Sequence, residues 1–374
     1  MAARKLGSIL THFRVLNDPR LERTRRHDLL DIVAITICAV ICGADSWVDV
    51  EKYGAAKYDW LKGFLKLPNG IPSHDTFGRV FAALAPDEFR ACFAAWVAEV
   101  ADAVGVKHVA IDGKTLRGSR SRGRAALHLV SAWAAGNHLT LGQESVDEKS
   151  NEITAIPRLL AVLDLTGALV TIDAMGCQRA IARQVVERGG DYVLAVKDNQ
   201  PTLYAEVERL EEAALASEYA GASTHCTEER GHGRDELRAC WVLTDLAGLG
   251  ERPKWHGLRS VAVVVRDRAV GERRSTEKHY YISSRAMTAE EFLGVIRAHW
   301  GIENSLHWVL DVSFGEDRSR VRIDHGPENL ALLRRMAVSM LQAEESKGSI
   351  RGKRLIAGWK NEFLESVLLD FTGK

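Results

Sequence analysis

Near residue 107 the chain changes texture, and this change constrains the fold more than any other feature of its 374 residues. Before it, apolar residues recur with helical spacing. After it come three short β-type runs, residues 109–116, 126–134 and 139–146, separated by Gly118, Gly123 and the pair Gly136 and Asn137. Runs of this length between such breakers predict an antiparallel meander. A helical pattern follows at 156–163, with Pro157 placed in its first turn, where a missing N–H costs nothing. Residues 168–173 then read as a buried strand ending in a carboxylate, 179–188 as a helix ended by Gly189 and Gly190, and 192–196 as another buried strand.

The predicted order is βββαβαβ, which is the layout of an α/β, RNase H-like catalytic core whose mixed sheet begins with three antiparallel strands. Residues 1–104 form an N-terminal helical domain in this reading, with apolar runs at 29–42 and 89–104 and a helix at 73–84 capped by Ser73 and stopped by Pro86. Its first 28 residues carry Arg4, Lys5, Arg14, Arg20, Arg23, Arg25 and Arg26 against Asp18, Glu22 and Asp28. Such an arm suits DNA-end binding, and it equally suits a folding scaffold. The core's first part spans 105–200. A mixed, partly β insertion occupies 201–284, ahead of the last catalytic helix and a helical tail at 285–374. Thr288 with Glu291 three residues on is the spacing of a capping box, so that helix starts there and runs to about residue 309.

Composition narrows the class without deciding it. Hydrophobic residues make up 46% and charged residues 27%, as in a globular protein. Fifty basic residues balance fifty acidic ones, so any surface for a polyanion must come from local clusters. The six cysteines show no CxxC pair and read as reduced thiols, with Cys38 and Cys42 as small core residues. Residues 29–42 are too short for a bilayer, which needs about 20 apolar residues.

Asp112 falls within the first predicted strand and Asp173 at the end of the fourth, and in an RNase H-like sheet these strands are neighbours, so the two carboxylates converge. Residues His299, Glu303, His307 and Asp311 are spaced by four and share a helical stripe. Other chemistries fit less well. Gly113, Lys114 and Thr115 imitate the end of a phosphate loop, but His108 stands where its first glycine belongs and no helix follows. The stripe lacks the HExxH spacing of a helical zinc site, and its two histidines read as part of a solvated face.

Four motifs occur in one order: IDGKTLRGS at 111–119, TIDAMGCQ at 171–178, VLAVKDNQ at 193–200 and HWGIENSLHWVLDVSFGEDRSRVR at 299–322. With LLDIVAITICAVICGADSWVDVEKYG at 29–54 and PSHDTFGRVF at 72–81, the chain resembles the H-repeat-associated insertion-sequence transposases, an ISAs-type family of the DDE class. The resemblance implies a catalytic, metal-holding triad of Asp112, Asp173 and Glu303, with Asp112 bridging two ions. It departs from the wider group's Tyr, Arg, Glu, Lys signature, with Ile296, His299 and Leu310 at the other three positions.

Three carboxylates suffice for such chemistry. Two divalent cations about 3.5–4 Å apart activate the attacking oxygen and stabilise the leaving one, and Mg²⁺ (or Mn²⁺) prefers oxygen ligands. The expected activity is cleavage at terminal inverted repeats and strand transfer into target DNA, in the cytoplasm or on the nucleoid, by a homodimer that holds two ends together. DNA contacts are expected from Lys114, Arg117, Arg120, Arg122 and Arg124, from Lys197, Asn199 and Gln200, and from Arg318, Arg320 and Arg322. His299 and Trp300 join them, Trp300 as a base-stacking group or, in the plainer reading, a core side chain. A catalytically silent DNA-binding relic and a host RNase H-like nuclease are the alternatives.

Overall fold

The computed structural model describes residues 9–147, 150–231, 234–271 and 273–369. Arg4, Lys5, His232 and Gly233 lie outside these residues. The helices begin with α1 (Leu29–Ile41), α2 (Trp47–Ala56), α3 (Tyr58–Lys62), α4 (His74–Ala83) and α5 (Pro86–Val104). Strands β1 (His108–Leu116), β2 (Leu127–Ala134) and β3 (Leu139–Val146) follow, then α6 (Glu152–Ala161), β4 (Leu169–Ile172), α7 (Arg179–Glu187), β5 (Asp191–Val196) and α8 (Pro201–Ala216). The chain continues through β6 (Ser223–Gly231), β7 (Arg234–Leu243), β8 (Ser260–Val270) and β9 (Arg273–Ser283) to α9 (Ala289–His299), a π-helical segment (Ile302–His307), α10 (Trp308–Ser313), α11 (Gly326–Ala343), α12 (Ile350–Trp359) and α13 (Asn361–Leu369). The protein is a mixed α/β structure of two compact units, and β1 is divided between them at Asp112 and Gly113.

Unit 1 comprises Met1–Val106, Gly113–Lys149 and Glu303–Lys374. Its helix α1 is apolar all round and accordingly buried on nearly every side. Asp28 caps it by accepting the N–H of Leu30 at 2.9 Å. Asp31 is buried because its carboxylate ties down a loop, accepting the N–H groups of Leu67 at 2.9 Å and Lys66 at 3.3 Å. Burial still leaves its pKa raised, against the pull of those hydrogen bonds. Helix α11, buried over most of its length, packs on α1, α4 and β3. It brings two arginines inside: Arg335 meets Glu316 at 3.1 Å and Ser131 Oγ at 3.1 Å, with neither side chain of the ion pair exposed.

Unit 2 comprises Lys107–Asp112 and Ser150–Ile302. Its strands run in the order β1, β4, β5, β9, β8, β7, β6. β1, β4 and β5 are parallel, with Ile111 paired to Ile172 and Ile172 to Leu194. β9 returns antiparallel to β5, pairing Val196 with Tyr280, and β8, β7 and β6 extend the sheet by long antiparallel ladders. Helix α9 packs Phe292 and Leu293 into a core with Leu169, Val193, Cys240, Val264 and Tyr281. The expected capping box is present, with Thr288 Oγ1 accepting the N–H of Glu291 at 3.2 Å and the Glu291 carboxylate accepting the N–H of Thr288 at 2.8 Å.

Local geometry differs from the sequence reading in three places. Helix α6 starts at Glu152, capped by Asn151 Oδ1 on the N–H of Ile153 at 3.1 Å, so Pro157 lies inside the helix and not in its first turn. Ser73 holds the N-cap position of α4 without a capping side-chain bond, and Pro86 opens α5 at its first position. The single helix expected to run from residue 288 to 309 breaks after His299 into the π-helical segment and α10. Among the described residues no helix is long and apolar enough to cross a membrane, and all six cysteines are free.

Candidate active site

In unit 2 the site begins with strand register. Because Ile111 pairs with Ile172 in a parallel ladder, Asp112 and Asp173 each stand one position further along adjacent strands. Asp173 leaves the sheet and caps a tight turn (Ala174–Gly176), its Oδ1 accepting the N–H groups of Met175 at 3.0 Å and Gly176 at 3.4 Å. Gly176 permits that turn, since a Cβ there would lie 2.3 Å from Ile172 Cγ2. The Asp173 carboxyl remains open to solvent at one edge, yet the protein around it and the charge of Glu152 push its pKa up, against the two N–H groups and Lys197. A carboxylate held in this way is short of positive charge.

Beneath the two aspartates lies a buried hydroxyl shared by two imidazoles. Thr171 Oγ1 is 2.9 Å from His108 Nε2 and 2.9 Å from His299 Nδ1. Burial pushes the pKa of both histidines down to about 4, His299 adding to the effect at His108, so both are neutral at pH 7. The hydroxyl has one O–H and two acceptor sites, so it can accept from both rings while donating to the Val109 carbonyl at 3.5 Å, or donate to one ring and accept from the other. His299, expected on a solvated face and as a DNA contact, is engaged inside unit 2. Trp300, by contrast, is 45% exposed, because it sits where α9 ends.

In unit 1, Glu303 is exposed within the π-helical segment, and desolvation raises its pKa. Segments of this kind are uncommon and recur at functional sites. They also break the four-residue spacing on which the sequence stripe depended. His307 is half-buried, its pKa pushed down to about 3 by burial and by Arg335, Lys114 and His128. Asp311 accepts from Lys114 Nζ at 2.7 Å. Lys114, expected to meet phosphates, is itself buried in that ion pair, 9% exposed.

The other basic residues of unit 1 expected to contact DNA are exposed, and the two runs that carry them, about 200 residues apart in sequence, meet. A Cβ on Gly118 would lie 2.2 Å from the carbonyl oxygen of Ser319 and 2.7 Å from that of Asp317, so the turns touch backbone to backbone. Arg322 Nε donates to the Gly118 carbonyl at 2.9 Å, and Arg124 donates to that of Asp324 at 3.3 Å. Arg117, Arg120, Arg122, Arg124, Arg318, Arg320 and Arg322 thus share one region, with Asp317 near Arg117 at 3.5 Å. In unit 2, Lys197 is exposed. Asn199 and Gln200 donate side-chain N–H groups to the carbonyls of Ala174 at 2.7 Å and Cys177 at 2.8 Å.

Residues 10–97 match the DDE_Tnp_1-associated family model, and residues 105–340 match that of the Transposase DDE domain. The chain belongs to the DDE transposase family. It is 40% identical to "Putative transposase YncI" of Escherichia coli O157:H7, over 97% of this chain and 95% of that protein. It is 39% identical to "H repeat-associated putative transposase YhhI" of Escherichia coli (strain K12), over 97% and 98%. Among solved structures it is similar to a piggyBac transposase synaptic complex with hairpin DNA, at TM-score 0.40 and 10% identity over 98% of this chain and 76% of that one.

DDE transposases use divalent metal ions. Among the described residues no three His, Cys, Asp or Glu side chains are grouped to hold an ion. The donor chemistry nevertheless fits, because Mg²⁺ is commonly held by one or two carboxylates and completes its shell with water and substrate phosphates. Asp112 and Asp173, on adjacent strands, offer two carboxylates of that kind. Reading this transposase from sequence missed His108 and Thr171. The signal available was a histidine and a threonine within apolar strands, at positions 112−4 and 173−2, on the strand faces that carry the aspartates.

Proposed function

We propose that this chain is an insertion-sequence transposase that cleaves DNA at terminal inverted repeats and joins the freed ends to target DNA. Asp112, Asp173 and Glu303 are its catalytic carboxylates, on an RNase H-like core. The observation that carries the reading is the Ile111 to Ile172 register, which brings two aspartates onto adjacent strands from positions 61 residues apart. Divalent cations at such a site supply Lewis-acid stabilisation at phosphorus and a more acidic attacking oxygen. The chain's own part is to hold and orient: Asp112 and Asp173 from adjacent strands, Asp173 with Oδ1 bound to two N–H groups and Oδ2 left for a cation, and Glu303 as the third oxygen donor.

The exposed arginines from Arg117 to Arg124 and from Arg318 to Arg322, with Lys197, position the DNA backbone, and Trp300 offers a ring for an unpaired base. Two ends must be processed together, so the active form is a homodimer on DNA, in the cytoplasm or on the nucleoid. In a strand-transfer assay with the element's labelled terminal repeats and Mg²⁺, the wild type joins ends, while Asp112→Ala and Glu303→Ala bind DNA without joining it. Binding without joining by the wild type would identify a silent relic instead, and cleavage without end specificity a host nuclease.

A further inference from the structure

Asn199 and Gln200 lie just past the end of β5, after Lys197 and Asp198, and its neighbour β4 leads into Asp173. Their side chains do not lie idle at the surface. Asn199 Nδ2 donates to the carbonyl of Ala174 at 2.7 Å, and Gln200 Nε2 to the carbonyl of Cys177 at 2.8 Å and to Gln178 Oε1 at 3.3 Å. Ala174, Gly176 and Cys177 are buried, so carbonyls in this turn need a protein donor. The donors come from rigid ground: the Gln200 N–H is bound to the Lys197 carbonyl at 3.0 Å, and the Gln200 carbonyl accepts the N–H of Tyr204 in the first turn of α8, where Pro201 stands at the first position. From within, Asp173 Oδ1 holds the same turn through Met175 and Gly176.

We propose that Asn199 and Gln200 are positioning residues that fix the Asp173 turn from outside and so aim its free carboxylate oxygen at a bound divalent cation, rather than serving as DNA contacts. The proposal rests on the metal-dependent reading of the site. An N–H group committed to a turn carbonyl is not on offer to a phosphate. A ligand's supporting partners govern metal affinity, and losing one costs on the order of 10- to 100-fold.

The test titrates the full-length chain with Mn²⁺, reading free ion by electron paramagnetic resonance, and separately measures affinity for a fluorescein-labelled duplex in EDTA. Asn199→Ala is expected to weaken Mn²⁺ binding about 10-fold with duplex affinity unchanged, and to have no further effect in an Asp173→Ala background. Gln200→Ala, which releases the Cys177 carbonyl and Gln178 Oε1 but leaves the Asn199 bond to Ala174 in place, is the second variant should the first not fold as judged by circular dichroism. Mn²⁺ affinity equal to wild type, or duplex affinity lost instead, overturns the proposal while leaving the metal reading in place. Wild-type protein whose Mn²⁺ binding does not depend on Asp112 or Asp173 overturns both.

Discussion

Thr171 Oγ1 lies 2.9 Å from His299 Nδ1, joining β4 to the end of α9. The same hydroxyl reaches His108 at 2.9 Å, so one small side chain serves β1, β4 and α9 beneath Asp112 and Asp173. Thr171→Val keeps the shape and removes the hydroxyl, leaving two buried imidazole nitrogens without partners. The expected loss is about 1–3 kcal/mol, checked by urea unfolding. A loss below a few tenths of that range would show the relay to be dispensable.

The same histidines set an acid limit. Buried neutral imidazoles whose pKa is pushed down to about 4 at His108 and His299, and about 3 at His307, take no proton in the folded chain where the unfolded chain, at 6.5, already does. The unfolded state binds more protons in that window, so stability falls as pH drops from 6.5 toward 4 in unit 2 and toward 3 in unit 1. Each group contributes up to about 1.4 kcal/mol per pH unit. Urea midpoints measured between pH 7 and pH 4 should decline throughout, and a flat profile would contradict the burial.

Gly118→Ala places a methyl group 2.2 Å from the Ser319 carbonyl oxygen, and backbone must move. Overpacking of this kind costs roughly 1–3 kcal/mol. Because the contact joins the two arginine runs, duplex affinity should fall with stability, which anisotropy and melting curves on one preparation can show.

Arg120→Ala and Arg320→Ala probe the runs individually. If each arginine meets a phosphate, each variant lowers the slope of log affinity against log salt by about 1. An unchanged slope in both would remove this region from the DNA surface.

Glu316→Ala strands Arg335 without its partner at a position fully shielded from water. A cost of about 3–5 kcal/mol is expected, whereas Glu316→Leu combined with Arg335→Met should cost much less. Denaturant titration of the three proteins decides between them.

What the sequence by itself determined was whatever rests on neighbours in the chain. The Thr288 and Glu291 capping box, the strand periods of β1 to β5 and the glycine breaks are written in residues a few positions apart, and they appear in the structure at or near their expected places. So did Asp112 within β1 and Asp173 just past the end of β4, the second because a short apolar run that stops at a carboxylate is legible locally. The tertiary structure alone decided which polar groups are already committed. Lys114 finds Asp311, Thr171 finds His108 and His299, and Asn199 and Gln200 find the Asp173 turn, across separations from about 20 to nearly 200 residues. A polar side chain's role follows from the partner that satisfies it after burial, and no periodicity names a partner so far away. Pro157 and the π-helical turn at Glu303 belong with them, since packing overrides the local preference for a regular α-helix.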